Sequence, residues 1–382
     1  MKLLHRHIFA NVALTCAAAV GVFAFVLLIG NVLKDLLPYL LAGQIEVDVF
    51  VRLGLLLFPF VITYALPMGI LTGVLLVLGR MSADREITAI RASGVSVAGI
   101  SAPIFFFALL GVALSLAVNL EFMPAARSAY KRELADAVRA NPLSFIVPKT
   151  FIREFPGRVI YVSERRGEVL EDLWLWELDG QGRVTRAARA RSGRLAYDEA
   201  GNTLKLTLTQ AQAEIRDAKD PENFEPVRAA AAWDNATFDL PLDNLVGRRT
   251  VRTKLKELPS AQLMARWREL DRAPAGEDAE ARTKREKDRM GVQIVIHEKL
   301  STAFSVLSFA LIAIPLGIRV SRKETTANLG VALGLAMAYY FSTVVVGWFD
   351  GRPELRPDLL MWAPNLGFQA LGLWMFYKVD RQ

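Results

Sequence analysis

Six apolar runs set the strongest limit on how this chain can fold. Each is long enough, at about 1.5 Å per helical residue, to cross a hydrocarbon layer of roughly 30 Å. They run from Ile8 to Leu33, Val51 to Gly79, Val97 to Leu120, Leu300 to Ile318, Ala327 to Phe349 and Leu359 to Tyr377. The chain is 53% hydrophobic, which exceeds the usual share for a soluble protein. The sequence therefore predicts a membrane α-helical protein with six transmembrane helices, three on each side of a long insert.

The insert, from Glu121 to about Lys299, has no run that could span a membrane. After Asn141-Pro142 apolar and polar residues alternate, as around Leu204, Leu206 and Leu208. Other strand candidates, separated by turn signals, are Leu170 to Leu178, Arg183 to Ala190, Arg194 to Tyr197, Ala211 to Ile215 and Ala230 to Leu240. The predicted domains are helices in 1–121, an all-β jelly-roll-like domain with helical connections in 122–299, and helices in 300–382.

Charges in the short loops predict the orientation, because Lys and Arg concentrate on the cytoplasmic side. One side carries Lys2, Arg6, Arg80, Arg85, Arg91, Arg319, Arg322, Lys323, Lys378 and Arg381, and the other carries Lys34, Arg52, Arg352 and Arg356. The first run is about twice the length of a signal-peptide core and is followed by no convincing cleavage site. We expect a multi-pass inner-membrane protein with both termini in the cytoplasm and the β domain in the periplasm.

Several kinds of chemistry are disfavoured by the sequence. It has no GxxxxGK[ST] loop for a nucleotide, and its single cysteine, Cys16, lies within an apolar run. His297-Glu298 is followed by Ser301, where a zinc-binding helix would place its second histidine. The spans hold essentially no ionisable residue of the kind that ion-coupled carriers use. We expect no enzyme activity, metal or cofactor in this chain, and the net charge of +7 reflects membrane topology rather than nucleic-acid binding.

One charged stretch, Gly79 to Ser96, lies between the second and third apolar runs. Ser82 is predicted to cap a short helix with Asp84 in its first turn, Ile87 and Ile90 to share one face, and Gly94 to end it. The carboxylate of Glu86 has two interpretations. It engages a basic groove on a cytoplasmic partner, or it pairs with neighbouring arginines and solvent.

Small residues and prolines in the spans predict how the helices pack. Pro59 and Pro67 predict kinks in the second span, and the spacing of Gly69 and Gly73 suits a close helix contact. In the fifth span, small residues recur every fourth position at Gly330, Gly334 and Ala338. This second set is compatible with packing inside the chain or against a partner.

Three basic residues are candidates for binding lipid headgroups. Lys34 ends the first span beside Asp35, where it either meets an anionic headgroup or serves as an interfacial anchor. Arg127 and Lys131 lie just beyond the third span, where they face the same headgroups or form a solvated helix face.

The chain resembles the lipopolysaccharide export permease family, LptF/LptG, over nearly its whole length. The similarity is carried by Leu66-Pro67, by LGRMSADREITAIRASGVS from Leu78 to Ser96, by Ala140-Asn141-Pro142 and by HEKLSTAFSVLSFALIAIPLGI from His297 to Ile318. The pattern of Glu86, Ile87, Ala89, Gly94 and Ser96 is specific in this context. The stretches beginning at Ala140 and His297 favour the LptF-like branch.

The resemblance implies the membrane half of an ATP-binding-cassette exporter. Its partners would be a cytoplasmic LptB-like ATPase dimer, a paralogous permease subunit, an LptC-like single-span protein and lipopolysaccharide itself. The segment from Ser82 to Ser93 would be the coupling helix that docks on the ATPase, through Arg85, Glu86, Ile87, Ala89, Ile90 and Gly94. By the same likeness Lys34, with Arg127 and Lys131 as further candidates, would contact the lipid.

Two other functions compete with this one. A membrane scaffold or chaperone with a periplasmic binding domain would need no ATPase, so Glu86→Arg would leave it working. A lipoprotein-releasing or macrolide-type permease would carry its large domain after the first span rather than the third. The leucines at 204, 206 and 208 either line a lipid path or form an ordinary β-domain core.

Overall fold

The computed structural model describes most of the chain in eleven ranges. They are 2–41, 43–140, 146–153, 155, 157–198, 203–215, 228–241, 255–272, 278–319, 325–349 and 355–381. The predictions at Asn141-Pro142, Arg322, Lys323 and Arg352 lie outside them. The chain divides into two compact units. One, the helical unit, comprises 1–31, 56–128 and 250–382, and the other, the sheet unit, comprises 32–55 and 129–249.

The described helices lie before and after the strands. Before them the bounds are α1 Lys2–Asp35, α2 Leu37–Leu41, α3 Val47–Leu56, α4 Phe58–Ala83, α5 Glu86–Ala92, α6 Val97–Ala117 and α7 Met123–Ala140. A π-helical turn, Val118–Phe122, joins α6 to α7, so that the third apolar run continues directly into a charged helix. After the strands come α8 Ser260–Asp271, α9 Ala279–Arg319, α10 Thr325–Gly347, α11 Pro357–Leu360 and α12 Ala363–Asp380.

Five of the described helices are long and apolar enough to cross a membrane. They occupy Leu3–Asp35, Phe58–Ala83, Val97–Ala137, Glu280–Arg319 and Gly330–Gly347, which overlap the first five predicted runs. The sixth run falls on α11 and α12, where Asn365, Gln369 and Lys378 lower the hydropathy. Five membrane-capable helices are therefore present, and the sixth span stays a prediction.

The second apolar run was predicted to form one kinked helix, but it forms two helices. The chain leaves helical structure at Leu57, so that α3 and α4 are separate. Pro59 lies in the first turn of α4, where no backbone N–H is needed for a helical hydrogen bond. Proline therefore helps to start this helix, whereas Pro67 lies inside it.

The glycine spacing in α4 does permit a close helix contact. A Cβ atom at Gly69 would lie 2.3 Å from Val20 Cγ2, and one at Gly73 would lie 2.5 Å from Cys16 Sγ. Both neighbours belong to α1. The prediction from Gly69 and Gly73 is thus confirmed, because only glycine lets α1 and α4 approach this closely.

Polar side chains also hold α9, α10 and α12 together. Asn365 Oδ1 accepts hydrogen bonds from Ser308 Oγ at 2.8 Å and from Tyr339 Oη at 3.0 Å. Asn365 Nδ2 donates to the carbonyl of Ser301 at 2.7 Å, and Gln369 Nε2 donates to Ser308 Oγ at 3.1 Å. Asn365 is fully buried. Because both polar atoms of the buried Asn365 amide have partners, the network joins three helices without the cost of an unsatisfied amide.

The sheet unit contains one antiparallel sheet with its described strands in the order β1 to β6. The strands are β1 Phe151–Ile152, β2 Arg158–Arg166, β3 Val169–Leu178, β4 Val184–Asp198, β5 Thr203–Ile215 and β6 Arg228–Pro241. Every strand pairs with the next one along the chain, which is a meander. A jelly roll needs Greek-key crossings, so that finer description stays a prediction.

Two strands are longer than predicted. The candidates on either side of Gly193 form one strand, β4, and the candidates on either side of Gln210 form one strand, β5. A Cβ atom at Gly193 would lie 3.0 Å from Leu173 Cδ1 and 3.1 Å from the Thr207 carbonyl oxygen. Gly193 therefore makes room for neighbouring strands rather than ending its own. Leucines 204, 206 and 208 are all buried in the core of the sheet unit.

Candidate functional site

The charged stretch after α4 forms a tight elbow and a short helix. Only Asp84 and Arg85 separate α4 from α5. The backbone N–H of Asp84 donates to the Arg80 carbonyl, and that of Arg85 donates to the Ser82 carbonyl. Arg85 has φ 59°, a left-handed conformation that is uncommon for a residue with a side chain. The helix ends at Ala92 with Ser93 as its C-cap, and Gly94 follows with φ 89°, where the sequence predicts the helix to stop.

The predicted cap of this helix is wrong. Ser82 is still part of α4, and its hydroxyl donates to the carbonyl of Ile318 at 2.7 Å. Arg85 takes the N-cap position instead, without a capping side-chain hydrogen bond. Glu86 rather than Asp84 is the acidic residue in the first turn, where a carboxylate favours the helix dipole.

The two faces of α5 differ in character. Ile87 is 4% exposed and Ile90 is half-buried, and both pack against the apolar core of the helical unit. Arg85, Glu86 and Ala89 are exposed on the opposite side. The inner face thus anchors the helix, and the outer face presents charged and small side chains. Such a surface can dock on a partner without disturbing the spans.

The second candidate site lies at the end of α1, within the sheet unit. Lys34 is exposed and borders a cavity of about 550 Å³. Asp35, Tyr39, Gln44 and Tyr130 also line this cavity. One cation, one carboxylate and two phenol groups therefore border a space large enough for a sugar or a phosphate group.

Arg127 and Lys131, the other lipid candidates, are both half-buried on α7. The guanidinium of Arg127 lies 5.5 Å from the centroid of the Phe60 ring, a cation–π contact. Lys131 also has an interaction within the chain. These two side chains are therefore partly held by the protein, whereas Lys34 stands at an open cavity.

A polar cluster beside the start of α8 was missed from the sequence. Lys299 is only 6% exposed, and its Nζ donates to the carbonyl of Leu258 at 2.9 Å. Lys256 forms an ion pair with Glu298, and Ser260 donates a hydrogen bond to Glu121. These contacts attach the segment before α8 to α9, and the first residue of α8 to the π turn. The sequence signal that could have revealed this cluster is the pair of adjacent charges, Glu298 and Lys299, directly before an apolar run.

His297 lies in the stretch that most resembles a zinc-binding motif, but its ring is hydrogen-bonded to a tryptophan. His297 Nδ1 accepts a hydrogen bond from Trp362 Nε1 at 3.0 Å. Within the ranges that the structure describes, no group of three or more His, Cys, Asp or Glu residues could hold a metal ion. His297 instead helps to attach α9 to the segment before α12.

Comparison with known proteins adds the decisive observation. The family model of the lipopolysaccharide export system permease LptF/LptG matches residues 6–378. The chain belongs to the LptF/LptG family. It is 22% identical over 335 residues to the lipopolysaccharide export system permease protein LptF of Escherichia coli K12. That alignment covers 87% of this chain and 83% of the relative, and the LptF of Shigella flexneri matches equally well.

Membership in the LptF/LptG family confirms the resemblance drawn from Leu78 to Ser96 and from His297 to Ile318. Together with the five membrane-capable helices, it makes this chain a multi-pass inner-membrane permease of the lipopolysaccharide export type. Both stretches lie in the helical unit, and Ser82 in the first contacts Ile318 in the second.

Proposed function

We propose that this chain is one transmembrane subunit of an ATP-binding-cassette exporter that extracts lipopolysaccharide from the inner membrane and passes it to a periplasmic bridge. ATP hydrolysis takes place in a separate LptB-like dimer, and this chain binds no cofactor. The observation that carries the proposal is α5, a helix with a buried apolar face and an exposed face bearing Glu86.

The exposed face of α5 is suited to docking in a groove of the ATPase. Glu86 provides the central carboxylate, Arg85 and Ala89 flank it, and Gly94 allows the chain to turn into α6. Ile87 and Ile90 act from the inner face, because their burial fixes the helix against the spans. Movement of the ATPase would then displace α5 as a unit rather than bending it.

A paralogous permease subunit would pack beside this chain, and the two subunits would enclose the lipid between them. In the most apolar stretches of α1 and α10, 17% of residues are buried, against 78% in α4 and α9. Exposed apolar side chains on α10 include Val331, Leu333, Met337, Phe341 and Val344. These surfaces of α1 and α10 are suited to a second subunit and to acyl chains.

The sheet unit is proposed to be periplasmic, with both termini and α5 in the cytoplasm and α12 as the sixth span. The described residues 232–239 of β6 are largely exposed, and in the described sheet β6 pairs with β5 alone. Such an edge can add a strand from another β domain, as an LptC-like partner would supply.

Lys34 and its cavity would receive a phosphate or sugar of the lipid, with Arg127 and Lys131 as further contacts.

The test is purification of the complex from its native membrane in mild detergent, as wild type and as Glu86→Arg. We expect a nucleotide-binding subunit and vanadate-sensitive ATPase activity with the wild type, and loss of both with the variant. Glu46→Arg, at another exposed carboxylate, is the matched control and should retain both. A wild-type complex without any ATPase would contradict the exporter function and favour the scaffold.

A further inference from the structure

The base of the coupling helix is attached to a distant part of the chain. Ser82, in the last turn of α4, donates its hydroxyl hydrogen bond to the carbonyl of Ile318, near the end of α9. This hydrogen bond joins two membrane-capable helices through residues that lie 236 positions apart in the chain.

The same two helix ends are in close backbone contact. A Cβ atom at Gly317 would lie 2.7 Å from Leu78 Cβ and 3.6 Å from Leu75 Cα. Leu78 and Gly317 are both buried. Since the nearest atom belongs to the base of a side chain rather than to a flexible tip, α9 could not keep this position with any larger residue.

The elbow between α4 and α5 is equally constrained. Its two residues continue the hydrogen bonding of α4, and Arg85 holds the left-handed conformation that turns the chain into α5. Ile87 and Ile90 then fix α5 against the core that also contains Met81. Direct contacts therefore link α5 to the end of α4 and, through Ser82, to α9.

The helix at the other side of this contact is long. α9 runs for 41 residues, which corresponds to about 60 Å. Its middle carries the polar cluster in which Lys299 and Glu298 hold the segment before α8, about 30 Å along the helix from Ile318. A shift at Ile318 can thus reach the region of α8 through one continuous helix.

We infer that Ser82 and Gly317 are positioning residues that clamp α9 to the base of α5, so that the two move together when the ATPase changes conformation. The inference rests on the proposed exporter function. It assigns to α9 the role of carrying movement from the coupling helix across the membrane, and it makes Ser82 important without any contact to ATPase or lipid.

The test uses the intact complex in proteoliposomes loaded with lipopolysaccharide, and it measures ATP hydrolysis and lipid release together. For Ser82→Ala we expect basal ATPase activity near that of the wild type and about fivefold less lipid released per ATP, at the low end of coupling effects between distant sites. Ser82→Thr keeps the hydroxyl and should restore most of this ratio. Gly317→Ala should lower the ratio further, because its Cβ atom separates the helices.

Ser101→Ala is the matched control, since Ser101 is buried and its hydroxyl donates only within its own helix, to the Val97 carbonyl at 2.8 Å. Its ratio should equal that of the wild type. An unchanged ratio in Ser82→Ala, or an equal loss in Ser101→Ala, would overturn the inference while leaving the exporter function intact. If the wild-type complex releases no lipid with ATP, the proposed function itself fails.

Discussion

Two pairs of membrane helices in this chain have opposite environments. In α4 and α9, 78% of the residues in the most apolar stretch are buried, and the two helices pack extensively against each other. In α1 and α10 the same share is 17%. All four are apolar, so hydropathy alone would not separate them. Burial therefore identifies α4 and α9 as the interior of this subunit, whereas α1 and α10 have exposed faces that can contact lipid or another chain.

Glycine makes the same distinction at single positions. In α4, the space that a Cβ atom at Gly69 or Gly73 would need is occupied by backbone and side-chain atoms of α1. In α10, nothing lies within 4 Å of a Cβ atom at Gly330 or Gly334. Small residues at a spacing of four thus allow a close helix contact inside the subunit in α4, whereas in α10 they lie on an exposed face. The open set is consistent with a partner helix that approaches α10 as closely as α1 approaches α4.

The largest expected effect comes from Gly69→Ala. The added Cβ atom would lie 2.3 Å from Val20 Cγ2 and 2.6 Å from the Val20 backbone nitrogen, so α1 must move away. We expect a loss of about 3 kcal/mol in the free energy of unfolding, at the upper end for overpacking. Tryptophan fluorescence during thermal unfolding in detergent measures it. Gly21→Ala, in α1 itself with open space around the Cβ atom, should change little.

How far the sequence predicts the structure depends on the range of the contacts involved. The spacing of Gly69 and Gly73 and the end of α5 just before Gly94 are local patterns, and they are confirmed. Ser82 was predicted to cap α5 by the same local logic, and that was wrong. Its partner, the Ile318 carbonyl, is 236 residues away and competes successfully for the hydroxyl.

The sheet gives a second example. The sequence predicts two short strands, Arg183 to Ala190 and Arg194 to Tyr197, where one long strand exists with Gly193 inside it. The reason is the bulk of Leu173 and Leu208 on neighbouring strands, which a Cβ atom at Gly193 would meet at 3.0 Å and 3.4 Å. At the candidate site, the exposed residues of α5 were predicted as a set. The burial of Ile87 and the cavity beside Lys34 follow from tertiary packing.

A smaller effect is expected from Asn365→Ala, which tests whether polar contacts contribute to the buried interior. The variant removes the acceptor for Ser308 and Tyr339 and the donor to the Ser301 carbonyl. We expect about 1.5 kcal/mol of destabilisation, near the largest values measured for hydrogen bonds between membrane helices. Gln369→Ala removes one bond and should cost about 0.6 kcal/mol. Equal costs for the two variants would contradict a central role for Asn365.

A pH-dependent effect is expected at Asp358, in α11 outside the membrane-capable helices. Burial raises the pKa of this carboxyl, but hydrogen bonds and charge from Arg356 outweigh it and hold the pKa below its ordinary value. The stabilisation is therefore present above the ordinary pKa of about 3.9 and is lost as the pH falls below it. Asp358→Asn should lower the Tm by about 2–4 °C at pH 7.

This difference between wild type and Asp358→Asn should narrow as the pH falls below about 4. Glu286→Gln is the control, because Glu286 pairs with Arg282 on the exposed surface of α9, where ion pairs contribute little. Its Tm should match the wild type at both pH values. A constant Tm difference across the pH range would mean that Asp358 acts through packing rather than through its charge.

The smallest effect on the chain itself is expected from Gly334→Ala, and it decides what the open face of α10 is for. A Cβ atom there meets nothing within 4 Å, so the free energy of unfolding of the isolated subunit should change by less than about 0.5 kcal/mol. If a partner helix packs on this face as α1 packs on Gly69, the same methyl group should reduce retention of the partner subunit during purification. Unchanged retention would mean that α10 faces lipid there, and marked destabilisation of the isolated subunit would remove the contrast between the two helix pairs.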